Sequence, residues 1–112
     1  MDLSRELARR VVVLDGGLAS ELERRGHDLS SELWSARLLR DDPAAIVDVH
    51  RAFADAGAEV VTSASYQASF EKLGDDAGPL LRRSVALARE AGTPWVAASV
   101  GPYGAMLADG SE

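Results

Sequence analysis

Val11-Val12-Val13-Leu14-Asp15-Gly16-Gly17-Leu18 is the stretch that decides the fold. Four apolar, mostly β-branched residues stop abruptly at a carboxylate and two glycines, and a helical pattern follows at once. β-Branched side chains favour a packed, pleated surface. A run that is apolar at every position, rather than at alternate ones, predicts a strand buried on both faces, as in a parallel sheet. Asp15 then falls at the strand's carboxyl end, where parallel α/β folds assemble their sites. Gly16 and Gly17 allow a sharp turn or a close approach of backbone to ligand. A competing reading makes Asp15 a helix N-cap, accepting from the free N–H groups of a helix that starts near Leu18.

Before that stretch, Leu3 to Arg10 reads as a short leading helix. After it, Leu18 and Leu22 lie four apart on one helical face over about 18–25, with Gly26 placed to end it. A further helical piece spans Leu33 to Leu39 and carries Trp34. Asp42-Pro43 is a start signal, with Asp42 as N-cap and proline at the first helical position. Ile46, Val49, Phe53 and Ala56 then share a face, and Gly57 stops the helix. Glu59 to Ser63 is the second strand. Phe70 to Leu73 suggests a helical turn, and Gly74 to Gly78 a loop. Pro79 opens a helix whose Leu81, Val85 and Ala88 align, ended by Gly92. Trp95 to Val100 is the third strand, and Gly101-Pro102-Tyr103-Gly104 turns away from it.

The order β, helices, β, helices, β has crossovers long enough to join parallel strands. Polar or glycine-rich residues gather at the carboxyl end of each strand, which predicts one shared rim. Three parallel strands leave unpaired edges and uncovered faces, whereas a (β/α)₈ barrel needs eight strands and typically about 250 residues. The 112 residues therefore read as the amino-terminal part of a longer TIM-type barrel, a single incomplete domain over 1–112 that breaks off after its third strand. The alternative is a non-catalytic half-barrel that covers its edges by self-association, as a structural or binding module.

Composition narrows the function. A hydrophobic content of 46% and a charged content of 27% are those of an ordinary globular domain. A net charge of −6 with no basic patch argues against a nucleic-acid surface. The apolar runs are too short to span a bilayer. The acidic amino terminus has no apolar core, so no signal peptide is expected and a cytoplasmic location follows. With no cysteine and only two histidines, His27 and His50, the chain offers no thiolate and no metal-ligand spacing. Both histidines read as surface or helix residues.

The motifs together resemble one family. Leu14 to Glu23 looks like the opening of the homocysteine S-methyltransferases. Leu33-Trp34-Ser35-Ala36, then Ala56-Gly57-Ala58 leading into Thr62 to Ser69, look like their next segments, and so do Ala98 to Ala105 and Ala108 to Glu112. Ser31-Glu32 stands where the family more often has Asp-Pro. The resemblance implies a barrel enzyme that moves a methyl group from S-methylmethionine or S-adenosylmethionine to the thiol of homocysteine, giving methionine. It also implies zinc held by cysteines in the carboxyl-terminal half, so the full-length enzyme would carry a metal that this chain does not ligate. The implied partners are homocysteine and a sulfonium donor. Mapped onto this sequence, Asp15 would hold the substrate ammonium and the Gly16 and Gly17 backbone its carboxylate, while Tyr66 and Gln67 would line the pocket. None of these is assigned a catalytic role, and the isolated chain is expected to be inactive.

Overall fold

The computed structural model describes residues 2–30, 34–66 and 73–101. Helix α1 (Leu3–Leu7) is capped by the Asp2 carboxylate, which accepts from the Ser4 N–H. The chain then runs extended through residues 11–14 and enters α2 (Leu18–Arg24). Helices α3 (Trp34–Asp41) and α4 (Pro43–Asp55) lead into strand β1 (Val60–Thr62). A single 3-10 turn (Gly74–Asp76) runs into α5 (Ala77–Arg89), and β2 (Trp95–Ala97) follows.

The signals at the ends of α2 and α4 act as the sequence suggests. Asp42 accepts from the Ala45 N–H at 3.4 Å, with proline at the first position of α4. Gly26 and Gly57 take φ values of 95° and 115°, the left-handed conformation that ends a helix and that side-chain-bearing residues avoid.

β1 and β2 pair in parallel, with Val60 opposite Trp95 and Thr62 opposite Ala97. On the other side of β1, Leu14 forms one parallel bridge to Val60, and the Asp15 N–H donates to the Val60 carbonyl at 3.0 Å. The three extended segments therefore lie side by side in chain order, an α/β arrangement with a small parallel sheet. The first of them departs from expectation. It is a bridge rather than a strand, and Val11, Val13 and Leu14 are 86%, 51% and 61% exposed. A doubly buried strand needs cover on both faces, and at residues 11, 13 and 14 the described residues do not supply it.

Those helices form the core. Leu22 of α2, Leu38 and Leu39 of α3, Ile46 and Val49 of α4, and Leu80 and Leu87 of α5 pack into one cluster. The buried stripe of α5 is Leu80, Ser84, Leu87 and Ala88, so Leu81 and Val85 are only half-buried. The helix starts at Ala77, two residues before Pro79, and its inward face centres on Leu80, Ser84 and Leu87, of which Leu80 and Leu87 pack in the helical core, rather than on Leu81 and Val85. Ala56 caps α4 and is exposed. His50 is fully buried, at i+4 from Ile46 and i−3 from Phe53, in phase with the apolar face of α4. That spacing was the available signal against a surface role.

The amino-terminal end of the sheet is closed by a clasp. Glu59 accepts from the Val13 N–H at 2.9 Å and from the Arg10 guanidinium at 2.9 and 3.1 Å, and Arg10 also reaches Glu6 of α1. The Val13 N–H and the Arg10 charge hold the Glu59 carboxyl below its usual range, against the opposing effect of burial.

Candidate functional site

The carboxyl ends of the three extended segments meet at a cleft of about 360 Å³. Asp15, Gly16, Leu18 and Ala19 form one wall, Thr62, Ser63, Ala64 and Tyr66 the next, and Ser99 closes the far side. Trp34 and Ser35, at the start of α3, complete the lining. Trp34 serves two purposes, since it also packs against the helical core.

Asp15 turns its carboxylate across the sheet end. One oxygen accepts from the Thr62 N–H at 2.9 Å and the other from the Thr62 hydroxyl at 3.0 Å. It does not cap α2, whose N-cap is Gly17 and which has no side-chain cap. A carboxylate offers about four lone-pair directions, so two bonds from Thr62 leave acceptor capacity facing the cleft. No basic side chain forms an ion pair with Asp15 among the described residues. The next titratable ring is that of His50, buried in α4. Burial holds its pKa below the ordinary histidine value, opposed by the charge of Asp15. Neither ring nitrogen has a hydrogen-bond partner among the described residues.

Of the two uses expected of the glycines, a sharp turn or a close approach to ligand, the first draws on no left-handed backbone. Neither has positive φ. A Cβ on Gly16 would stand 3.0 Å from Cε1 of Phe53, and one on Gly17 would stand 3.2 Å from the Ser20 hydroxyl oxygen. Gly16 is small because the Phe53 ring of α4 lies behind it. Gly16 lines the cleft, while Gly17 leads directly into α2. Tyr66 stands on the rim, 51% exposed. Gln67 and Tyr103 lie outside the described residues.

Beside Asp15 is a polar network that the sequence reading did not anticipate. The Ser99 N–H donates to the Ser63 hydroxyl at 3.0 Å, Ser63 and Ser65 hydroxyls are 2.7 Å apart, and Ser65 donates to the Ser99 carbonyl at 2.9 Å. Its signal was Ser63 and Ser65 two apart on an extended chain, which sends both side chains to one side. No group of three acidic, histidine or cysteine side chains could hold a metal ion among the described residues, and the serine-rich wall is a poor donor set for zinc.

The chain has clear relatives. The sequence pattern of the homocysteine S-methyltransferase family matches residues 12–112. The homocysteine S-methyltransferase of Escherichia coli is 45% identical over 119 residues, a match covering 91% of this chain and 38% of that protein. The selenocysteine Se-methyltransferase of Brassica oleracea is 45% identical over 125 residues, covering 89% of this chain and 36% of that protein. The crystal structure of the homocysteine methyltransferase MmuM from Escherichia coli, in its metallated form, matches with a TM-score of 0.83 at 42% identity, covering 97% of this chain and 44% of that one. This chain thus spans well under half the length of these relatives. With the parallel segments in chain order and their carboxyl ends gathered on Asp15, it belongs to the homocysteine S-methyltransferase family.

Proposed function

We propose that these 112 residues are the amino-terminal part of a (β/α)₈ barrel that transfers a methyl group from a sulfonium donor, S-methylmethionine or S-adenosylmethionine, to homocysteine, giving methionine. The observation that carries this reading is the Asp15 carboxylate, anchored by Thr62 yet without a cationic partner among the described residues, at the meeting point of three strand ends. Such a group suits the α-ammonium of an amino acid. The backbone from Gly16 into α2 lies beside it to receive the α-carboxylate, and Tyr66, with Gln67 following it, flanks the entrance.

A free thiol has a pKa near 8.5 and is mostly protonated at neutral pH. Zinc coordination supplies the thiolate in this chemistry. The residues described here do not fit that metal, and in our reading its ligands belong to the length of the relatives that this chain does not span. This chain's own task is alignment. Fixing the amino-acid end lets the sulfur approach the methyl group along one line, and orientation of that kind accounts for much of a two-substrate rate. The leaving thioether is neutral, so no general acid is required beside it. A cytoplasmic location fits free amino-acid substrates, and no helix among the described residues is long and apolar enough to cross a membrane.

Titrating L-homocysteine into the chain, followed by the Thr62 and Ser63 amide resonances, tests the reading. Saturable shifts that vanish in Asp15→Ala are expected, and unchanged binding in that variant refutes it. Methyl transfer by the 112-residue chain alone is expected to be absent. One observation favours a second reading, a half-barrel that self-associates. Val11, Val13 and Leu14, together with Val100 at 89% exposure, present apolar surface beside two sheet edges that are unpaired among the described residues. Light scattering that finds a stable dimer indifferent to homocysteine would favour it.

A further inference from the structure

The hydrogen-bond directions around the cleft can be worked out from valence alone. A carbonyl cannot donate, so the bond from Ser65 to the Ser99 carbonyl uses the only Ser65 hydroxyl proton. The contact between Ser63 and Ser65 must then be donated by Ser63. Ser63 in turn accepts from the Ser99 N–H. The ring therefore runs one way, from the Ser99 N–H through Ser63 and Ser65 back to the Ser99 carbonyl. Thr62 is fixed similarly, because both its N–H and its hydroxyl donate to Asp15.

In the strip beside Asp15, the Thr62 N–H and the hydroxyl protons of Thr62, Ser63 and Ser65 are thus each committed to another protein atom. Asp15, the Thr62 hydroxyl and the Ser63 hydroxyl offer lone pairs and negative charge, and no donor. Ser63 and Ser65 are almost completely buried, so solvent does not scramble these directions. The Ser99 hydroxyl, on the far side, can turn to accept.

We propose that Ser65, which does not line the cleft, is a positioning residue that leaves the strip of Asp15, Thr62 and Ser63 with acceptors only, and that this strip thereby selects a ligand bearing an ammonium group over one bearing a hydroxyl. An ammonium brings three donors and a charge, and satisfies Asp15, Thr62 and Ser63 together. A hydroxyl brings one proton, leaving the other acceptors facing its lone pairs. The inference rests on the amino-acid reading of the cleft and adds its selectivity.

Two measurements test it. The first is the affinity of the chain for L-homocysteine and for its 2-hydroxy analogue, in the wild type and in Ser65→Ala, with Ser84→Ala as a control for losing a buried serine elsewhere. In Ser65→Ala the Ser63 proton loses its acceptor and is free to turn into the cleft. The preference for the ammonium compound should fall about tenfold, the size of one ordinary hydrogen bond, while Ser84→Ala keeps the wild-type ratio. The second is hydrogen exchange at the Ser99 amide, which should be protected in the wild type and in Ser84→Ala and lose protection in Ser63→Ala.

A wild-type ratio in Ser65→Ala, with both compounds bound, overturns the selectivity and leaves the amino-acid site standing. A Ser99 amide that exchanges as fast in the wild type as in Ser63→Ala overturns the ring itself. A wild-type chain that binds neither compound overturns the amino-acid reading, and the selectivity with it.

Discussion

Two carboxylates join the same pair of neighbouring segments, one at each end. At the amino-terminal end Glu59 of the second segment accepts from the Val13 N–H of the first. At the carboxyl-terminal end Asp15 of the first accepts from the Thr62 N–H of the second, so the two bonds are reciprocal. The difference lies in what else each carboxylate meets. Glu59 is paired with Arg10, which also ties α1 to the sheet. Asp15 meets a hydroxyl and a cleft. Glu59 is neutralised within the fold, whereas Asp15 has no ion-pair partner among the described residues, and in our proposal that charge receives the substrate ammonium.

Exchanging the acids separates the two roles. Asp15→Asn should weaken homocysteine binding by about 2–5 kcal/mol, the range for removing one member of a close charged pair. Titration by calorimetry or amide shifts would show it. Retained affinity would place Asp15 beside Glu59 as a structural acid. Gly16→Ala should destabilise by about 1–3 kcal/mol, because the added methyl meets the Phe53 ring and must displace it. Denaturant unfolding of the variant reads this. Glu59→Gln should lower the melting temperature modestly and leave homocysteine affinity as it was. A loss of affinity there would show that the two ends of the sheet are coupled.

Acidity sharpens the same contrast. His50 has a folded pKa below its unfolded value, so the unfolded chain takes up the proton first and stability is lost as pH falls below about 6.5. Asp15 faces His50 from the sheet and works against that loss. Glu59 loses stability in the same direction, at lower pH. Its folded pKa is depressed from 4.5, so its contribution is present above that value and fades as pH drops through the lower folded one. Glu21, held at about 2 by Arg24 and Arg25, follows the same direction on an exposed face where water screens it. Melting curves from pH 7 to pH 3 should therefore show two regions of loss. His50→Phe should flatten the upper one only, and a wild-type slope in that variant would contradict the assignment.

Much of this architecture could be read from local chemistry. Asp42-Pro43 and the glycines at 26 and 57 mark helix boundaries because capping and left-handed backbone are decided within a few residues. Asp15 is visible for the same reason, at the break between an apolar run and a glycine pair. What could not be read depends on neighbours distant in sequence. Burial of residues 11–14 requires something on both faces, and periodicity shows only that the residues suit such a place. The reason for Gly16 is an aromatic ring 37 positions later in the chain. The serine ring joins positions 63 and 99, and nothing in either local pattern announces the other.

The contact between Gly16 and Phe53 has a consequence for anyone wishing to reshape this cleft. The helix that bears the ring stands behind the backbone one residue from Asp15, so in our proposal α4 acts as a backstop setting how far that acid can retreat from an incoming ligand. Trimming the ring, as in Phe53→Leu, would relax the backstop without altering any group exposed to the ligand. It would also open room for a methyl at position 16. The two substitutions together should therefore be milder than the sum of their separate effects.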